Sequence, residues 1–110
     1  MSLYKDYVEE RRPNGSVIED EDGFISYILF PEQHECFIQE IYVVPDKRSV
    51  CISREYERMV INKIGDHYTN LTATVDITAI NPELNVTLMV KAGFKILSLN
   101  GNLISFIKEI

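Results

Sequence analysis

The stretch Ile41-Tyr42-Val43-Val44-Pro45-Asp46-Lys47-Arg48-Ser49-Val50-Cys51-Ile52-Ser53-Arg54 decides the reading of this chain, because it runs from an apolar strand through a short basic turn into a helix. Unpaired backbone N–H groups at a helix N-terminus, added to the positive end of the helix dipole, favour an anion just beyond the strand. Lys47, Arg48 and Arg54 reinforce that field. They form a basic island in a chain whose net charge is −6, so the turn reads as a phosphate-binding site.

Upstream of this turn, Leu3–Arg12 reads as one short helix stopped by Arg12-Pro13-Asn14-Gly15. Ser16–Glu19 is a weak strand, and Asp20-Glu21-Asp22-Gly23 a solvated acidic turn rather than a metal loop. Phe24–Phe30, rich in aromatic and branched residues and ended by Pro31, predicts a strand buried on both faces. A short polar loop joins it to the strand Phe37–Val44.

Downstream, the period changes to helical from Ser53 to His67, with Ile52, Tyr56, Met59, Val60 and Ile64 on one stripe. Leu71, Ala73, Val75, Ile77 and Ala79 then alternate with Thr72, Thr74, Asp76 and Thr78, a strand with one apolar and one polar face, and a polar face in so small a domain suggests a cleft. The next helix has Asn81 as N-cap, Pro82 at its first position and Gly93 just past its end. Phe94–Leu99 and Leu103–Ile107 flank Asn100-Gly101 and predict a closing hairpin.

Composition bounds the function classes. A chain of 110 residues, 45% hydrophobic and 25% charged, predicts one compact domain, residues 1–110. No stretch has the length and apolarity of a membrane span, and no apolar run follows Met1-Ser2-Leu3, so the expected setting is cytoplasmic, without a membrane partner. Two cysteines, Cys36 and Cys51, are too few for a disulfide scaffold, and His34 and His67 lie far from any paired ligand spacing, so no metal is expected. The acidic balance argues against a nucleic-acid partner and leaves room for a cationic one, such as an amine.

The element order is helix, two or three antiparallel strands, helix, strand, helix, hairpin, and with the two motifs it resembles the GNAT N-acetyltransferase superfamily from Gly23 to Ile107. Ile41–Arg48 followed by Ser49-Val50-Cys51-Ile52-Ser53 is similar to the family's strand and pyrophosphate loop, Q/R-x-x-G-x-G/A. Asn81-Pro82-Glu83-Leu84 through Val90-Lys91-Ala92-Gly93-Phe94 resembles its later helix, which ends in a Gly-Phe pair. The resemblance implies an α+β fold with a central, mostly antiparallel mixed sheet flanked by helices. It also implies a core over residues 23–110 and a shortened N-terminal region over 1–22, so that the acceptor pocket is abbreviated or completed by a second subunit. Leu99, Leu103, Ile104 and Phe106 of the closing hairpin would suit a homodimer contact.

By the same resemblance, acetyl-CoA is the co-substrate and its pantetheine arm enters where the strands Phe37–Val44 and Leu71–Ile80 splay apart. Backbone groups of Ile41, Tyr42 and Val43 would pair with that arm. The amides of Arg48, Ser49, Val50, Cys51, Ile52 and Ser53 would hold the pyrophosphate, with the Lys47 and Arg48 side chains adding charge. A small-molecule or peptide amine would attack the thioester directly. Glu40 is the candidate base or amine-binding carboxylate, read as sharing a strand face with Ile38, Tyr42 and Val44, or else a strand-edge ion pair; Asp76 is a weaker candidate across the cleft, or else a loop tether. The chain departs from the family at Cys51 and Ser53, which replace small loop residues, and at Met89, which stands where many members place an acidic tyrosine. Thr87, Tyr42 and Tyr68 are the substitutes considered for that acid. The alternative reading is a catalytically silent CoA-binding or protein-interaction module on the same fold.

Overall fold

The computed structural model describes residues 2–48, 50–78 and 80–110, with side chains for all of these except Val50, Cys51 and Ile52. Expectations placed on Ser49, on Ala79 and on those three side chains lie outside the described residues. Among the described residues, three α-helices, two single 3-10 turns (Pro31–Gln33 and Pro45–Lys47) and one sheet make up the architecture: α1 (Leu3–Arg11), β1 (Gly15–Glu19), β2 (Gly23–Phe30), β3 (Glu35–Val43), α2 (Val50–Ile64), β4 (Asn70–Asp76), α3 (Pro82–Lys91), β5 (Lys95–Asn100) and β6 (Leu103–Glu109). The strand order is β1-β2-β3-β4-β6-β5, antiparallel throughout except at β3–β4, which is parallel. None of the described helices is long and apolar enough to cross a membrane.

Helices cover both faces of this sheet. Tyr56 and Val60 of α2 join Ile25, Tyr27, Ile38, Leu71, Val75 and Phe106 in the main core, and Val86 and Met89 of α3 pack against it from the same face. The α2 stripe is turned relative to its expected position. Glu57 is buried and Met59 is exposed, because Glu57 reaches Lys108 of β6, Oε1 to Nζ 2.6 Å. The opposite face is covered by α1, whose Tyr4 ring lies 4.8 Å from that of Phe24 and whose Val8 is fully buried. The Ser2 hydroxyl starts α1 by accepting the Lys5 N–H at 3.2 Å.

The acidic turn between β1 and β2 is a structural anchor. Asp20 Oδ1 accepts the N–H groups of Asp22 (2.9 Å) and Gly23 (3.1 Å) and the hydroxyl of Tyr56 (2.5 Å), tying the turn to α2. The Tyr56 bond is the chief reason that the Asp20 carboxyl is held below its ordinary value, while burial first, and then Asp20, pushes the Tyr56 hydroxyl up. Gly23 is required at the end of the turn, because a Cβ there would fall 2.0 Å from the Tyr42 carbonyl oxygen.

Two helix ends differ in how closely they follow expectation. Gly93, at φ +96, closes α3 with paired bonds, Gly93 N–H to Val90 O (3.0 Å) and Phe94 N–H to Met89 O (3.0 Å), as a glycine-terminated helix end requires. At its start, Asn81 occupies the N-cap position in the left-handed region and makes no side-chain cap bond. The closing hairpin turns at Gly101-Asn102, one residue later than expected, with Gly101 at φ +62 in the first loop position.

Candidate active site

The site begins with the one parallel contact in the sheet. β3 and β4 pair only at Glu35↔Asn70, Cys36↔Leu71 and Phe37↔Thr72, although both strands continue. Beyond Phe37 and Thr72 they separate, leaving a wedge that opens toward Val43 and Asp76. At its closed end, ring nitrogens bind backbone across the two loops: His34 Nδ1 to His67 O (2.9 Å) and His67 Nε2 to Pro31 O (3.0 Å). Tyr68 packs edge-on to His67 at this closed end, which removes it as a proton donor at the mouth.

A bulge in β3 decides which side chains face each way. Tyr27 pairs with Ile38 and Ser26 with Glu40, so Gln39 is an extra residue. Cys36, Ile38, Ile41 and Val43 therefore share the α2 face, and Phe37, Glu40 and Tyr42 share the α1 face. This corrects the expected grouping of Glu40 with Ile38 and Val44, since strict alternation fails across the inserted residue. Cys36, buried in the core, has its thiol pushed up to about 12 by burial and is a packing residue.

Backbone direction follows from the same register. Val44 N–H donates to Asp22 O at 2.8 Å, so Tyr42 spends its main-chain groups on Phe24 of β2, while Ile41 and Val43 turn theirs into the wedge. Ile41 and Val43 thus turn their backbone groups toward the wedge, and Tyr42 does not. The Tyr42 ring lies 5.7 Å from Phe24 and 5.5 Å beneath the Arg48 guanidinium, whose Nε donates to Val43 O at 2.8 Å. At the apex, Gln39 Oε1 and Thr72 Oγ1 are buried without a hydrogen-bond partner among the described residues. Groups of this kind suit a ligand amide.

At the mouth, a tight turn over Pro45–Lys47 leads into α2, and Lys47 and Arg48 are exposed. Ser53 is half-buried in the first turn of α2. Arg54 is directed elsewhere, its Nη2 donating to the Lys91 carbonyl at 2.6 Å at the end of α3. An open groove of about 430 Å³, lined by Ile77, Pro82, Val86 and Ile104 among others, lies between α3 and the β4–β6 pair.

On the α1 face, Glu40 is exposed and its Oε1 accepts the Tyr4 hydroxyl at 2.9 Å. Tyr4 has one proton, so the fully buried Ser26 hydroxyl, 3.3 Å away, supplies the second bond by donating to it. Sequence reasoning missed Tyr4, which only the packing of α1 brings to Glu40. Asp76, at the end of β4, tethers the loop that follows it. Its Oδ1 accepts from Thr78 N–H (2.8 Å) and Thr78 Oγ1–H (2.7 Å), and these bonds hold its carboxyl below the ordinary range. Thr87 donates to the Glu83 carbonyl at 2.8 Å, and Met89 packs against the core.

Solved structures share this fold. The PaiA N-acetyltransferase from Thermoplasma acidophilum in complex with coenzyme A is similar at a TM-score of 0.63 and 17% identity over 81% of this chain. The chain has the GNAT fold. It spans only 54% of the length of that enzyme. An acetyltransferase from Bacillus subtilis in complex with CoA matches at 0.66 and 13% identity, covering 96% of this chain and 84% of its own. The IAA acetyltransferase from Bacillus cereus matches at 0.66 and 14%, covering 88% and 79%. No protein-family model matches the sequence, and no curated protein is significantly similar to it. Within that fold, the wedge of this chain is set by three ladder pairs and a bulge.

Proposed function

We propose that the protein transfers an acetyl group from acetyl-CoA to a primary amine of a small molecule or peptide. The observation that carries this reading is the disposition of Glu40: exposed on the α1 face beside the wedge, while the basic turn and α2 start serve the other end. An enzyme needs such a second approach, whereas a module that merely retains the fold does not. In this reading the pantetheine arm lies in the wedge against Ile41 and Val43, and the pyrophosphate meets the α2 start with Lys47, Arg48, Ser49, Val50, Cys51, Ile52 and Ser53. Arg48 leaves the Val43 carbonyl to reach the phosphate, freeing that oxygen for an amide of the arm.

The amine enters from the α1 face and forms its N–C bond as the C–S bond breaks. Glu40, with one oxygen held by Tyr4, accepts the amine proton, and solvent protonates the leaving thiolate. Thr87 and Met89 offer no acid, the first committed to Glu83 O and the second a thioether. That observation favours the second reading, CoA binding without turnover.

Calorimetric titration with CoA and acetyl-CoA tests the first half of the proposal. Arg48→Glu should weaken binding at least tenfold with unchanged circular dichroism, the scale of one charge-assisted hydrogen bond; equal affinity refutes the placement. An acceptor screen with polyamines and peptide amines tests the second half. Turnover lost in Glu40→Gln supports catalysis, and saturable binding with no turnover on any amine selects the silent module.

A further inference from the structure

We propose that the ring of Tyr42 is a cation-binding face of the acceptor site, held by Arg48 in the free protein and passed to the amine when CoA binds, a reading that rests on the movement of Arg48 to the pyrophosphate proposed above. A continuous row of side chains joins the two ends of the site. The Arg48 guanidinium lies 5.5 Å from the centre of the Tyr42 ring, and Tyr42 stacks on Phe24 at 5.7 Å. Phe24 meets Tyr4 at 4.8 Å, and the Tyr4 hydroxyl donates to Glu40 at 2.9 Å. Tyr42 is 44% exposed and lies outside the core. Glu40 and Tyr42 project from the same face of β3, about 7 Å apart along the strand.

Charge decides what the ring takes. The face of an aromatic ring is electronegative, and the carboxylate beside it adds a full negative charge, so the pair attracts an organic cation. An alkylamine is such a cation at neutral pH, since its ordinary value lies near that of lysine, about 10.4. It must therefore be held as the ammonium before Glu40 takes its proton. With Arg48 over the ring, an arriving ammonium meets a like charge that opposes its binding. Once Arg48 has gone to the phosphate, the same ring stabilises the ammonium. One side chain thus couples the two sites: CoA raises the affinity for the amine, and by reciprocity the amine raises the affinity for CoA by the same factor.

NMR titration of the full chain with butylamine, reading the signals of residue 42 and of Glu40, tests the proposal. Affinity should rise about two- to fivefold when CoA is saturating, the scale of one exposed cation–π contact. Arg48→Gln should give that gain without CoA, which keeps the test independent of whether CoA binds. The Arg48→Gln gain should persist in a Tyr42→Phe background, which keeps a ring, and vanish in a Tyr42→Leu background, each with unchanged circular dichroism. Butanol, neutral and of the same length, should show no gain. Equal butylamine affinity with Arg48 present or replaced overturns the proposal, as does a gain that survives Tyr42→Leu or is shared by butanol. A gain in Arg48→Gln alongside a failure of CoA to bind upholds the cation site and overturns the co-substrate reading instead.

Discussion

Removing one hydroxyl tests the anchor between the β1–β2 turn and α2. Tyr56→Phe keeps the buried ring and deletes only the 2.5 Å bond to Asp20 Oδ1. Hydrogen bonds to charged groups contribute about 1.5–3 kcal/mol. Asp20 is exposed and keeps its bonds from Asp22 and Gly23, so the lower end applies, about 1.5 kcal/mol. With about 2.1 cal/mol/K of unfolding entropy per residue, a 110-residue chain should lose about 6 °C in Tm. The effect is linked to pH. Asp20 has a lowered folded value, so its contribution is complete above its ordinary 3.8 and is lost as pH falls through the folded value. Tyr56 is raised, so its contribution is complete below its ordinary 10.0 and is lost at higher pH. Urea unfolding of both proteins should therefore show the full difference at neutral pH and a shrinking one below 3.8. A neutral-pH difference under about 0.5 kcal/mol, or one unchanged near pH 2, would refute the assignment.

Two further changes probe packing. Gly23→Ala should cost about 3 kcal/mol or more in urea unfolding, because its Cβ would meet backbone at 2.0 Å and no side chain can yield. Lys108→Met should cost about 2–3 kcal/mol by stranding Glu57, and adding Glu57→Leu should recover more than half, read from a double-mutant cycle; additive losses would show that the 2.6 Å pair is uncoupled.

Much of the fold was legible because its elements are locally consistent. The period of two over Ala73–Asp76, the Pro82 and Gly93 that bracket α3, and the glycine of the final turn each agree with the structure, while Thr72 breaks the period by being buried. What escaped were features set by tertiary contact. Alternation along β3 failed at Gln39, since a bulge leaves no compositional mark there, and it misplaced Ile38 relative to Glu40. Glu57 read as a solvated position until Lys108, from β6, gave it a buried partner. The basic island was visible, but not that Arg54 turns to the Lys91 carbonyl and Arg48 to the Val43 carbonyl. Tyr4 is separated from Glu40 by thirty-six positions and had no local pattern to announce it.

The short β3–β4 ladder has a mechanical meaning as well. One leaf of the sheet, β1-β2-β3, and the other, β4-β6-β5, are stitched by three residue pairs and buckled by the His34–His67 clasp. Beyond that fulcrum the leaves are braced by α2, whose Tyr56 and Val60 pack on both and whose Glu57 reaches Lys108 of β6, so the width of the gap is set by a helix and not by strand pairing. The protein is in this respect a propped peg, clasped at the histidine end and held open by the helix where Val43 and Asp76 diverge.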